Sequence, residues 1–453
     1  MISASSPFDP AALARSVPRY TSYPTAPHFS DEIGPETYAR WLDELPEDAA
    51  LSLYLHLPFC DDLCWFCACR TQGTKRYAPV ARYLDRLEAE IAMVAGHLGS
   101  SHPVTQVHWG GGSPTILRPE DTLRLRRTIL AHFPGAAAGE FAVEIDPRDM
   151  SLARLDALAE AGLTRASIGV QDFDKRVQKA IGRQQGYEMT RDVIAGLRER
   201  GVTGVNVDTL YGLPGQTGES LSRTIEQVIG LRPDRIALFG YAHVPWMAKR
   251  QKMIDESLLP RPEARRRQSM LAARMLIRAG YEAIGIDHFA LPGDSLAKAR
   301  NDGTLRRNFQ GYTVDPAAAL IGFGASAIGC LPQGYVQNDA TTSTYQLRIE
   351  AGVTATRRGH ALTLDDQVRR DAIEQILCQF GLDIDALAAR YGDFVQPVRD
   401  KAAGVMEAAP DGALAPWRGG FRIDPDRRHH ARLIAAEFDT YLAAQPARHS
   451  LAV

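Results

Sequence analysis

The chain reads as an α/β protein built on a parallel sheet, and three features of the sequence predict this. Six short apolar runs alternate with amphipathic segments between about residues 52 and 243. Each run stops at a turn, a glycine or a polar residue, as buried strands do. The chemically distinctive side chains all follow the ends of runs. Such alternation implies crossover connections and parallel strands, curled into a full or partial barrel or left open.

The runs are Leu51–Leu57, Val104–Trp109, Phe141–Ile145, Arg165–Val170, Val205–Leu210 and Ile236–Tyr241. Between the first two, Val80, Leu84, Leu87, Ile91, Val94 and Leu98 recur at spacings of three or four, a stripe one helix face wide. Leu152, Leu155, Leu158 and Ala159 form a shorter stripe, with Gly162 in the C-terminal capping position. A further helix is expected over about Pro262–Tyr281, followed by Ile284–His288 and an irregular glycine-rich stretch through Gly334. Beyond Leu362 the texture turns helical, over Asp365–Gln379, Ile384–Arg390 and Phe394–Ala408, with a hairpin at Gly419-Gly420. The expected division is an N-terminal extension covering the active site (1–50), a barrel with its own extension (51–350) and a smaller, mainly helical, winged-helix-like domain (360–453).

Composition excludes several classes. Of 453 residues, 45% are apolar and 23% charged, the texture of a folded protein, and the net charge of -2 gives no hint of a nucleic-acid partner. No apolar run reaches the about 18 residues of a membrane span, and the first thirty residues lack the apolar core of a secretory signal. A cytoplasmic, membrane-free location is expected. Six cysteines fit a reducing compartment; Cys330 and Cys378 stand alone and are read as small buried apolar residues.

The other four cysteines follow the first run. Cys60, Cys64 and Cys67 lie on one tight loop, with Cys69 two residues on. Three thiolates can hold three irons of a cubane cluster and leave the fourth iron open to a chelating ligand. A structural zinc site completed by Cys69 is the alternative, although such sites usually draw two pairs of ligands from separate turns. The glycine run Gly110-Gly111-Gly112 follows the second strand, Glu144 and Asp146 the third, and Gln171-Asp172 the fourth. Asp208 closes the fifth and Tyr241-Ala242-His243 the sixth. Loops on one rim of a parallel sheet converge, so these residues point to one site.

The C-x3-C-x2-C spacing after the first strand, with Phe66 before the last cysteine, resembles the signature of the radical S-adenosylmethionine superfamily. Longer segments narrow the likeness: Arg19–Thr25, Tyr54–Cys60, Cys67-Ala68-Cys69, His108–Gly112, Glu144–Arg148, Gly169–Phe173, Asp208–Pro214, Asn308–Tyr312 and Phe438–Leu442. Together they resemble the oxygen-independent coproporphyrinogen III oxidase (dehydrogenase) family, in order along nearly the whole chain. The resemblance implies a partial (β/α)6 TIM-like radical SAM barrel. It also implies oxidative decarboxylation of two propionates of coproporphyrinogen III to vinyl groups, and a monomer. One [4Fe-4S] cluster on Cys60, Cys64 and Cys67 and two S-adenosylmethionine molecules are implied cofactors. So are an electron donor such as flavodoxin or ferredoxin and an unidentified acceptor.

Carried over position by position, Tyr54, Phe66, Cys67, Ala68, Gly111, Gly112, Ser113, Glu144, Gln171, Arg183, Asp208, Ala242 and Ile328 match the S-adenosylmethionine contacts. Cys69, His56 and Tyr54 match positions needed for activity. Glycines at 111 and 112 suit close approach of backbone to a ligand. Ala68 and Thr71 replace the commoner Gly and Lys, and Ser113 replaces Thr. Arg19, Arg70, Lys75, Arg306 and Arg307 are candidates to hold propionates, while Arg265-Arg266-Arg267 and Arg427–His430 read as exposed faces. Two rivals share the fold: a haem chaperone, which generally lacks a cysteine at position 69, and a radical methyltransferase, which would lack the matches around Arg19 and Asn308.

Overall fold

The structure, a computed structural model, describes residues 7–8, 15–98 and 102–444. The six runs form six strands: β1 (Leu51–Leu57), β2 (Val104–Gly111), β3 (Glu140–Ile145), β4 (Arg165–Gln171), β5 (Gly204–Tyr211) and β6 (Arg235–Gly240). They pair in parallel in that order. Alternate residues explain the pattern. Leu53 and Leu55 are fully buried toward the helices, while Tyr54 and His56 sit among the residues of the opposite, polar face.

Helices return the chain between strands. After α1 (Pro35–Asp43), α2 (Ala78–Leu98) buries the whole stripe from Val80 to Leu98. Next come α3 (Pro119–His132), α4 (Leu152–Glu160), α5 (Lys175–Ala180), α6 (Tyr187–Glu199), α7 (Gly218–Leu231) and α8 (Pro262–Arg278). Their starts are written locally. Ser151 Oγ accepts from the Arg154 amide, Thr217 and Ser220 form a capping box, and Pro119 and Pro262 open their helices at the first position. Gly162 takes φ +83° just past α4, as a C-terminal stop requires.

Beyond α8 the chain adds strands to both edges of the sheet. The segment Ile284–His288 is a turn between two antiparallel strands, β7 (Glu282–Ile284) and β8 (His288–Ala290), because Gly285 at φ +53° reverses the chain. The stretch expected to be irregular through Gly334 instead carries β9 (Ala319–Phe323), β10 (Ile328–Leu331) and β11 (Gly334–Asn338), with β12 (Thr356–Ala361) after it. β9 pairs in parallel with β1, and the resulting 12-stranded sheet runs β12-β11-β10-β9-β1-β2-β3-β4-β5-β6-β8-β7 without closing. The fold is a mixed α/β partial barrel, with antiparallel strands finishing both edges, followed by a mainly helical C-terminal part.

Two cores hold it. The larger packs β1–β6 against α1–α4 and α6–α8. The second lies in the C-terminal part, among α9 (Leu364–Gln379), Ile384–Tyr391, Gln396–Glu407 and the small sheet of Gly381–Leu382, Leu414–Trp417 and Gly420–Ile423. Phe8, Val17, Tyr20 and Tyr23 belong to this second core, although they come first in the chain. Tyr20 donates to Asp439 at 3.0 Å, and Tyr23 shares a 3.0 Å bond with Thr440.

Candidate active site

The cysteine loop leaves β1 and is tied down at both ends. Phe59–Cys60 pairs in parallel with Gln72–Gly73, and the Trp65 amide donates to Ile181 O at 2.9 Å. Cys60, Cys64 and Cys67 are free thiols partly or fully covered; Cys69 is exposed. Arg148 and Arg183 each donate to Cys64 Sγ, at 3.4 and 3.5 Å. The same two guanidiniums bind Asp146 Oδ2, at 2.6 and 3.0 Å, and outweigh the burial that would raise its pKa, so Asp146 stays ionised.

Cys67 and Cys69 are a pair. The Cys69 amide donates to Cys67 Sγ at 3.4 Å. Hydrogen bonding from Cys69, with Arg250 and Arg183 nearby, holds the Cys67 thiol down to about 6 against the burial that raises it. Cys69 is correspondingly pushed well up by that bond and by the charge on Cys67, so it keeps the proton. Burial and its two neighbouring thiols push Cys60 up to about 12.

This donor set fits an iron–sulfur cluster. N–H donors aimed at sulfur stabilise anionic thiolates and tune such a centre. Among the described residues no three His, Cys, Asp or Glu side chains converge as ligands of a single ion. A cubane takes one thiolate per iron and needs no such convergence.

Around the loop stand the ends of the other strands. The Gly111 amide donates to Glu144 Oε2 at 3.1 Å, and Glu144 Oε1 lies 3.3 Å from His108 Nε2. The glycines are required chiefly by the protein itself. A Cβ on Gly111, at φ +104°, would stand 2.5 Å from the His56 ring, and one on Gly112 would stand 2.4 Å from Phe59 O. The Gly112 and Ser113 amides bind Leu57 O and Phe59 O at 2.9 and 2.7 Å, seating the glycine run against the start of the cysteine loop. Ser113 Oγ donates to Asp149 at 2.8 Å.

His56 is fixed as a neutral ring. Its Nε2 faces Arg70 O at 3.1 Å, an acceptor only, so Nε2 carries the hydrogen. Nδ1 then accepts from Tyr54 Oη at 3.0 Å, and burial lowers the histidine pKa. Tyr54 stacks on His108, and burial together with Glu144 holds its hydroxyl protonated. Asp208 accepts from Asn206 at 2.8 Å and Ser167 at 3.4 Å, and burial pushes it up to about 6.

Gln171 takes φ +69° at a bulge where β4 meets β5, which turns it out of register at the rim. Arg183 bridges Cys64, Asp146 and Gly169 O. Ile328 opens β10, beside Gly322, whose partner across the sheet is Tyr54. Asp172, by contrast, is wholly buried and saturated by Asp174, Thr224 and Gln216, a structural bracket.

Sequence reading missed Gln251. Fully buried, it donates through Nε2 to both Phe66 O (2.7 Å) and Ala242 O (3.0 Å) and accepts from Val244 N. It thus ties the cysteine loop to the end of β6. A lone Gln in a loop carries no sequence signal.

The cationic candidates separate. Lys75 pairs with Asp62 on the surface. Arg307 is buried over Tyr312 and 3.9 Å from Asp287, and Arg19 donates to Gly240 O. Arg306 is exposed on a short hairpin, and Arg70 is exposed beside Cys69. Two expectations of exposure fail: Arg265 is buried beneath Gly212 and Gly240, and His430 is buried, bonded to Pro7 O. Cys378 is buried as expected; Cys330 is only partly so.

Residues 54–228 match the model of the radical SAM superfamily. The anaerobic coproporphyrinogen III oxidase 1 of Cereibacter sphaeroides is 48% identical over 436 residues, 96% of each chain. The oxygen-independent coproporphyrinogen III oxidase of Escherichia coli is 39% identical over 428 residues, 94% of this chain and 93% of its own. The solved structure of coproporphyrinogen III oxidase (HemN) from Escherichia coli, described as a radical SAM enzyme, superposes with a TM-score of 0.90 at 37% identity, covering 94% of this chain and 100% of its own. With its cysteine loop, glycine run and barrel in one frame, this chain belongs to the oxygen-independent coproporphyrinogen III oxidase family of radical SAM oxidoreductases.

Proposed function

We propose that the protein converts two propionates of coproporphyrinogen III to vinyl groups without oxygen, giving protoporphyrinogen IX. The observation that carries this reading is the pairing of a three-thiol loop with a fourth, proton-bearing thiol, Cys69, hydrogen-bonded to Cys67. When bound, the cluster and S-adenosylmethionine supply a 5′-deoxyadenosyl radical able to remove a hydrogen atom. For each vinyl group the propionate β-carbon loses that hydrogen, the carboxylate leaves as carbon dioxide, and one electron passes to an acceptor.

The chain's own residues do the rest. Cys60, Cys64 and Cys67 hold the cluster, with Arg148 and Arg183 supporting its charge. Tyr54, Phe66, Ala68, Gly111, Gly112, Ser113, Gln171, Ala242 and Ile328 line the space for two S-adenosylmethionine molecules. Glu144 and Asp208 offer acceptors for ammonium and ribose hydroxyl groups, and Arg183 a carboxylate clamp. His56 and Tyr54 form a neutral, oriented pair beneath them. Cys69 faces substrate and can move a proton. A low-potential protein such as flavodoxin or ferredoxin feeds the cluster, and the enzyme works as a cytoplasmic monomer. In this reading residues 1–50 cover the barrel of 51–350, and 360–453 form the separate C-terminal domain.

Anaerobic product analysis tests it. Reconstituted wild type, given reductant, S-adenosylmethionine and an electron acceptor, yields protoporphyrinogen. Cys69→Ser keeps the cluster absorbance and loses product by about 100-fold or more. Tight haem binding without product would establish the chaperone instead, and a colourless protein holding zinc would remove the cluster from the account.

A further inference from the structure

A cleft of about 410 Å3 opens beside Cys69, within the about 300–1,000 Å3 usual for ligand sites. Its charged lining is Arg70, Lys249 and Arg250, and no carboxylate faces it. Arg250 braces the loop by donating to Thr71 O at 2.8 Å, Thr71 Oγ1 at 2.9 Å and Cys69 O at 3.5 Å, with its charge felt by the Cys67 thiol. The Arg70 and Lys249 side chains have no hydrogen bond or ion pair among the described residues. A further guanidinium, Arg358, lies close enough to Arg70 to feel its charge. Thr341, Thr342 and Ser343 also line it, as does exposed Met247.

Arg70 and Lys249 repel each other and Arg250 with no carboxylate in the lining to offset them, and an anion that enters relieves the repulsion. We propose that this cleft seats carboxylates of the substrate, with Arg70 and Lys249 as the ionic contacts and Cys69 in its wall. The proposal rests on the coproporphyrinogen reading, which supplies a ligand with four propionates. It selects Arg70 among the cations named from sequence and adds Lys249, which no motif marks.

The test uses full-length protein with dithionite as the reductant, so that no protein donor takes part. Arg70→Gln and Lys249→Gln should each raise KM for coproporphyrinogen III about tenfold with little change in kcat, and Arg70→Lys should restore part of the loss. Oxidised coproporphyrin III, titrated by its fluorescence, should bind more weakly by the same factor, and increasingly so at higher salt. Cluster absorbance matching wild type shows that the variants are folded. Unchanged KM and unchanged coproporphyrin binding would overturn the proposal. So would an effect seen only when a protein reductant replaces dithionite, since the cleft would then be a docking face. A wild type that binds coproporphyrin III through these residues yet forms no protoporphyrinogen would keep the cleft and discard the reaction.

Discussion

At the scale of single residues, the site depends on side chains that never reach a ligand. Gln251 satisfies Phe66 O, Ala242 O and the Val244 amide from a fully buried position. Gln251→Ala leaves those groups unpaired, at about 1–3 kcal/mol for a buried partner. The expected result is a rise of about tenfold in KM for S-adenosylmethionine, with cluster content unchanged, measured by the rate of its reductive cleavage. The thiols and carboxylates were legible in the sequence because their chemistry and spacing are rare. Gln251 was not, since its role is created by two backbone carbonyls brought together only in the fold. Arg265 failed for a similar reason: one member of a run of three arginines turns inward beneath Gly212 and Gly240, and composition cannot tell which.

At the scale of elements, β1 to β6 were legible nearly to the residue because apolar runs of this length bounded by turns have few other uses. The strands from Glu282 to Asn338 were not. They are three to five residues long, too short to show a period, and their glycines suggest loops. The glycine run after β2 was found for an incomplete reason. Its glycines let β2 press against His56 and Phe59, and so set the distance between the end of β2 and the cysteine loop. Gly112→Ala should therefore act on the loop before it acts on the fold. The expected variant is soluble with a normal circular-dichroism spectrum, yet takes up markedly less iron on anaerobic reconstitution, read from its absorbance and iron content.

At the scale of the molecule, buried polar pins fasten the added strands to the parallel sheet. Glu90 on α2 accepts from the Gly324 amide, Asn338 Nδ2 and Tyr345 Oη, so one carboxylate joins a helix, two strand ends and a later helix. Burial pushes its pKa up to about 7 from an ordinary 4.5, and the three donors recover only part of that cost. A raised acid pKa means that the folded state holds the proton longer than the unfolded one. The contribution of Glu90 is fullest below pH 4.5, declines as pH rises, and is level above about 7. The total change is on the order of 3 kcal/mol. Thermal melts of wild type and Glu90→Gln across this range should show wild type losing ground to the variant as pH rises, and parallel curves above pH 7.

The joining of Tyr20 to Asp439, 419 residues apart, and of Tyr23 to Thr440, orders events during synthesis. Residues 17–23 leave the ribosome some four hundred residues before Phe438, which completes the core that receives them. Arg19, which reaches Gly240 O at the rim of β6, lies on the same segment. A strap made before the parallel sheet is thus fastened only after it, and a nascent chain carries the sheet while Tyr20 and Tyr23 still wait for their partners.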